Sequence, residues 1–374
     1  MNITRIAFSV FIILFCFASY AEKPKQGYWQ GILELEKDIE LPFVFSLDEK
    51  KQFVIYNAEE EIQLDKPSSK GDSIQYSFLA FKTYLVFAYD SNKEINGFYV
   101  YPDRKQHAKI PFKAVYLGKT KPSCEKETIT DISGKWKTIF STNPDNAYKA
   151  IGKFKQEKNG RITGTFLTET GDYRYLDGYL SDNLLTLSCF DGSHAFLFKA
   201  KYIDGELTGT FYSGSHWKTN WVAKRNATFE LKDPDSLTYL IKDDFTFVHP
   251  DTNNSNFNFP NQSTQGKVVI IQIIGTWCPN CLDETNFYKE IYNKYHDKGL
   301  EIIGVAYEYP SNFEEQVKRV VRYTNNKDVP YTILIGGQAS KKEASTDFSM
   351  LNEISSFPTS IFINRSGEVV KIHT

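Results

Sequence analysis

Two cysteines three residues apart, Cys278 and Cys281, lie in the run Trp277-Cys278-Pro279-Asn280-Cys281 and are the residues of this chain best suited to chemistry. Before them, Lys267 to Gly275 is a nearly continuous apolar, β-branched stretch, the pattern of a strand buried on both faces. After them, residues 279–298 place Tyr288, Ile291, Tyr292 and Tyr295 on one helical face. The pair therefore falls at a strand-to-helix junction, where free first-turn amides and the helix dipole favour a thiolate over a thiol. Pro279 suits that turn, because its missing N–H would have been unpaired there anyway. Spacing alone admits a redox pair, half a zinc site or a static disulfide. Zinc requires two more Cys or His ligands nearby, and the chain has neither a second Cys-x-x-Cys nor a His pair at ligand spacing, so no metal is expected. The strand-to-helix placement favours the redox pair, with Cys278 exposed and attacking and Cys281, one turn in, shielded and resolving.

The surrounding elements complete an α/β pattern. Leu300 to Tyr307 reads as a second buried strand and 312–325 as a second helix with Val317, Val320 and Val321 facing inward; Tyr331 to Ile335, Thr359 to Ile363 and Val369 to His373 supply further strands. With these proportions, Gly275-Thr276-Trp277-Cys278-Pro279-Asn280-Cys281 resembles the active site of thioredoxin-fold proteins, and more closely that of the TlpA-like extracytoplasmic thiol-disulfide oxidoreductases. Asn256 to Phe259 with Gly266 to Val269 resembles that family's lead-in hairpin and first core strand. Phe357-Pro358-Thr359-Ser360 and the Ser366-Gly367-Glu368 turn resemble its cis-proline loop and last hairpin. The resemblance covers about residues 245–374. It implies a redox-active disulfide between Cys278 and Cys281, and no cofactor. Glu284, three residues past Cys281, would move a proton, and a cis Pro358 would place its backbone against Cys278. Trp277 would shield the sulfurs, while Pro279 and Asn280, neither Gly-Pro nor Pro-His, would set a couple somewhere between about −270 and −120 mV. The chain ends at Thr374 in what should be the last strand, so a domain truncated before its closing helix is expected.

A chain of 374 residues holds two to three domains. Lys and Arg, 44, nearly balance Asp and Glu, 46, and the net charge of −2 removes the electrostatic footprint of a nucleic-acid binder. Arg5, the apolar run Ile6 to Phe17 and Ser19-Tyr20-Ala21 read as a cleaved export signal over 1–21, and no later stretch is long enough to span a bilayer. Bulky Phe15 before Cys16 argues against a lipid anchor. Export to the periplasm or cell envelope permits disulfides, so Cys124 and Cys189 could pair or Cys189 could be a buried thiol.

Residues 22–122 and 123–230 read as two related β-rich halves, meanders or partly closed barrels, followed by a connector and hairpin over 231–266 and the thioredoxin-like domain over 267–374. Gly27-Tyr28-Trp29 is echoed by Gly134-Lys135-Trp136, and Glu94-Ile95-Asn96-Gly97-Phe98 by Glu206-Leu207-Thr208-Gly209; Gly160 to Phe166 recurs as Gly205 to Phe211. His194, His216 and His249 read as surface residues and Glu59-Glu60-Glu61 as a solvated turn. The expected function is an exported thiol-disulfide oxidoreductase that reduces disulfides of envelope proteins, fed by a membrane electron donor and serving redox homeostasis. The alternatives are a disulfide oxidant or isomerase, or a partner-binding β module with an accessory redox domain. A peroxide-reducing site would want a Thr three before the reactive Cys, whereas Thr276 is two before Cys278; a metal chaperone would want a different cysteine spacing.

Overall fold

Along Gly27–Glu36 fully buried and less buried side chains alternate, the period of a strand that covers a core on one face only. The same alternation recurs through the first two thirds of the chain and builds two sheets that curl round on themselves. In this computed structural model residues 24–71, 73–122, 130–141 and 143–374 are described. The export-signal segment 1–21 and Cys124 lie outside them. The first sheet runs in chain order from Gly27–Glu36 to Lys109–Gly118, and its last strand pairs back on its first, with Trp29 opposite Tyr116 and Leu33 opposite Phe112. Its open side lies between Glu60–Gln63 and Ser68–Lys70, where the bridge Leu64 to Phe78 spans the gap. The second sheet, Gly134–Phe140 to Trp217–Arg225, closes fully, because each of its long strands pairs with two neighbours and the last returns to the first, Trp136 opposite Arg225. Closure leaves no strand edge to manage.

The two barrels share more than topology. Trp29 and Trp136 are each fully buried near the start of the first strand, and each donates its indole N–H to the carbonyl four residues earlier, Lys25 at 3.1 Å and Ile132 at 2.9 Å. The echoed glycines have one cause: a Cβ would sit 2.2 Å from Val86 O at Gly97 and 1.8 Å from Lys199 O at Gly209, so the neighbouring strand excludes any side chain. Stacked aromatics fill both interiors, Phe45 on Phe53 in one and Phe198 on Phe211 in the other. Cys189 is a buried free thiol in the second core.

The last third is an α/β layer. A hairpin of Phe247–Pro250 with Asn256–Phe259 leads into β1 (Val268–Ile274), α1 (Pro279–Tyr295), β2 (Leu300–Glu308), α2 (Phe313–Lys327), β3 (Thr332–Gln338), α3 (Lys341–Asp347), β4 (Thr359–Ile363) and β5 (Val369–His373). The sheet order is β3-β2-β1-β4-β5; β1, β2 and β3 run parallel, β4 is antiparallel to β1 and β5 antiparallel to β4, a thioredoxin-like arrangement. The lead-in hairpin pairs Asn256–Phe259 with Phe247–Pro250, inside the 231–266 connector, and the Gly266 segment leads into β1. Three expectations are corrected. On α2 the buried stripe passes through Gln316, Val320 and Tyr323, turning Val321 outward. Tyr295 likewise faces outward on α1. His249 is buried among Phe247, Phe348 and Tyr307 and not at the surface. Among the described residues no helix is long and apolar enough to cross a membrane.

Candidate functional site

β1 ends at Ile274, and the chain turns through Gly275, Thr276 and Trp277 before α1 begins at Pro279. Cys278 is the N-cap: its backbone is extended and its Sγ accepts the Cys281 N–H at 3.2 Å. Pro279 takes the first helical position, where its lack of an N–H costs no hydrogen bond. Both cysteines are free thiols. The Cys278 thiol also points at Phe357 O, 3.6 Å away, and the Phe357–Pro358 peptide is cis.

Cys278 is only 7% exposed, against the expectation of an open cysteine. It packs within the α/β-layer core with Ile274 and Cys281, and the second barrel stands against the turn that carries it. Ser193 Oγ of that barrel donates to Trp277 O at 3.0 Å, and the turn at Gly171–Asp172 reaches the proline loop, where Ser356 Oγ donates to Thr170 O at 2.6 Å. Trp277 is half-buried for a related reason: its indole N–H donates to Tyr307 O and its ring lies against Tyr309 and Phe357. What remains open over Cys278 is a cleft of about 700 Å³ between the second barrel and the α/β layer, lined on one side by Tyr148, Tyr173 and Phe196 and on the other by Trp277 and Phe357.

Behind the pair lies a polar network buried in the α/β layer. Gln272 of β1, fully buried, donates from Nε2 to Glu284 Oε2 at 3.0 Å and accepts the Tyr331 hydroxyl at 2.9 Å; Ser360 Oγ donates to Glu284 Oε1 at 2.7 Å. Burial raises the Glu284 carboxyl above its ordinary range, and these two hydrogen bonds offset that only in part. Burial likewise pushes the Cys281 thiol well up, with Cys278 and the Glu284 charge adding to it. Cys281 is thus favoured as the neutral thiol, within the electrostatic reach of the Glu284 carboxyl.

Sequence reading missed Glu308, Gln272 and Arg174. Glu308, the last residue of β2, is fully buried and accepts from Thr276 twice, from N–H at 2.8 Å and from Oγ1 at 2.9 Å, thereby fixing the turn that carries Trp277 and Cys278. Burial pushes its carboxyl up to about 7, against the pull of Thr276 and Arg319. A raised acid is favoured protonated in the folded state, so its contribution is complete below the unfolded value of 4.5 and is lost as pH rises from there to about 7. Compared with Glu308→Gln, the native chain should lose stability by about 3 kcal/mol across that window, read from urea midpoints at several pH values. An identical pH dependence in both chains would disprove the assignment.

Arg174, 4% exposed, gathers residues from three parts of the fold. Its guanidinium pairs with Glu60 of the first barrel at 2.8 Å, Asp191 of the second at 3.3 Å, and Asp283 of α1, and it donates to Asn280 Oδ1 at 3.1 Å. Burial disfavours the charge, but Asp191, Asp283 and Glu60 outweigh it and hold the group firmly cationic. Glu60 is thus a half-buried ion-pair partner and not part of a solvated turn. Asn280 is the contact between this cluster and the dipeptide separating the cysteines. Among the described residues no group of three or more His, Cys, Asp or Glu is placed to hold a metal ion.

Residues 241–374 match the Redoxin family. The chain is 32% identical over 110 residues to the thiol-disulfide oxidoreductase ResA of Halalkalibacterium halodurans, covering 29% of this chain and 55% of that one. It is 27% identical over 112 residues to the thioredoxin-like protein YneN of Bacillus subtilis, covering 30% and 59%. The chain thus spans little more than half the length of the curated relatives it matches. Among solved structures, a thioredoxin-family thiol:disulfide interchange protein from Chlorobium tepidum aligns with TM-score 0.28 at 22% identity, over 35% of this chain and 83% of that one.

Proposed function

We propose that this protein is a thiol-disulfide oxidoreductase of the TlpA-like kind, exported to the periplasm or cell envelope, where it reduces disulfides of envelope proteins and is recharged by a membrane electron donor. The observation that carries this reading is the placement of Cys278: an N-cap cysteine facing the proline loop at the foot of a cleft, with Cys281 one turn behind it. Cys278, as thiolate, attacks a substrate sulfur and forms a mixed disulfide, expelling one substrate thiolate. Cys281 then attacks the Cys278 sulfur, expelling the second and leaving the protein disulfide; two electrons have passed to the substrate. An external dithiol restores the pair.

Equilibration of the full chain with dithiothreitol or glutathione tests the direction. A midpoint below about −230 mV supports the reductase; one between about −180 and −120 mV makes the protein an oxidant or isomerase. The absence of a reversible couple refutes the reading altogether.

Glu284 takes the Cys281 proton as that sulfur attacks. Glu284→Gln should therefore slow collapse of the mixed disulfide by about 100-fold or more, the low end of general acid–base contributions, and flatten the pH dependence of that step. An unchanged rate of collapse would leave Glu284 a packing residue.

A further inference from the structure

Among the described residues Cys278 opens onto the cleft that the second barrel makes with the α/β layer, and that geometry restricts what can be reduced. Attack requires the partner sulfur to approach in line with its own S–S bond, so a disulfide set in the flat face of a folded protein cannot meet a sulfur that is 7% exposed at the foot of a cleft. A thin carrier can. The cleft, about 700 Å³, lies in the range of about 300–1,000 Å³ that holds a small ligand or short peptide. Its wall is built and fixed: Tyr148 and Tyr173 are joined hydroxyl to hydroxyl at 2.5 Å, His194 stacks on Phe196, and Ser356 and Arg174 tie the barrel to the proline loop and to α1. At the mouth Lys149 and Lys232 are offset by Glu169 and Asp172, so net charge selects little while the aromatic wall favours apolar side chains.

We propose that the second barrel forms half of the substrate site, and that the substrate is a disulfide on a short extended peptide segment with an apolar residue beside the cysteine. This rests on the oxidoreductase reading above. Cys278 bonds to the peptide's sulfur and releases the other half of the disulfide as a thiolate. Cys281 then releases the peptide thiolate, and the protein ends oxidised with the substrate reduced by two electrons.

The test uses the full chain, reduced with dithiothreitol and freed of it. Single-turnover oxidation is followed with two probes: an unstructured decapeptide with a Cys-Phe pair, its cysteine capped as a mixed disulfide with 2-mercaptoethanol, and folded insulin. The peptide should react at least about tenfold faster per disulfide, a difference of about 1.4 kcal/mol in barrier. Ala147, exposed at the rim in extended backbone, tolerates a larger side chain. Ala147→Trp should slow the peptide by about tenfold or more while leaving the midpoint potential unchanged. Equal rates for the two probes, or a peptide rate indifferent to Ala147→Trp, would overturn the proposal while a reversible couple kept the oxidoreductase reading intact. A chain with no reversible couple would overturn both.

Discussion

Cys278→Ser should abolish disulfide exchange down to background, a loss of at least roughly 10⁴-fold, the scale seen when a nucleophile with no substitute is removed. The structure provides no substitute among the described cysteines. Cys281 is fully buried beneath the helix turn, and Cys189 lies in the second barrel core; burial raises both thiols well above their ordinary value. Only Cys278 lines the cleft. Cys281→Ser should behave differently. The first attack survives, but nothing collapses the product, so a protein–substrate adduct accumulates and is read directly by intact mass. If Cys281→Ser instead lost the first step while Cys278→Ser kept it, the two roles would be exchanged. If both variants retained turnover, the pair would be structural.

Much of this arrangement could be read in the residues because it rests on local signals. The apolar run before Cys278, the proline after it and the spacing of the pair each follow from backbone and helix-end physics, and β4 and β5 fall where alternation and the Ser366-Gly367 turn place them. The β-rich character of the two halves was legible for a similar reason. A buried Trp opening each half and a glycine forced by a close neighbouring strand leave marks in the residues. What could not be read depends on distant parts of the chain meeting. Nothing near Arg174 announces a cluster, because Glu60, Asp191 and Asp283 lie far from it in sequence and the intervening turns are ordinary. The burial of Cys278 was missed for the same cause: it packs against Ile274 and faces Phe357, a residue 79 positions away that no local pattern brings to the cysteine. α3 was missed because it is short, and its core anchor is one small residue, Ala344.

Docking of the barrels also concentrates charge in one place, and the second large effect is expected there. Arg174→Met should destabilise the chain by about 3–5 kcal/mol, the usual result of breaking a buried ion cluster by removing one partner. The cost is not the lost attraction alone. Asp191, with 2% of its side chain exposed, and Glu60, with 17%, would remain beside each other with no cation between them, whereas Asp283, at 44%, can still be hydrated. Asp283→Asn alone should therefore cost less than about 1 kcal/mol, as exposed pairs do. Adding Glu60→Gln and Asp191→Asn to Arg174→Met should recover part of the loss, since the buried carboxylates that lost the guanidinium are then neutral, although Asp191 also gives up its pairing with His194. That recovery separates an uncompensated charge from a mere packing defect: a triple variant no more stable than Arg174→Met in urea unfolding would assign the effect to lost volume. The clamp also joins the cleft wall to α1 through Asn280. Asn280→Ala, which releases that link without exposing a buried charge, should therefore narrow the rate difference between peptide and insulin while changing the urea midpoint little.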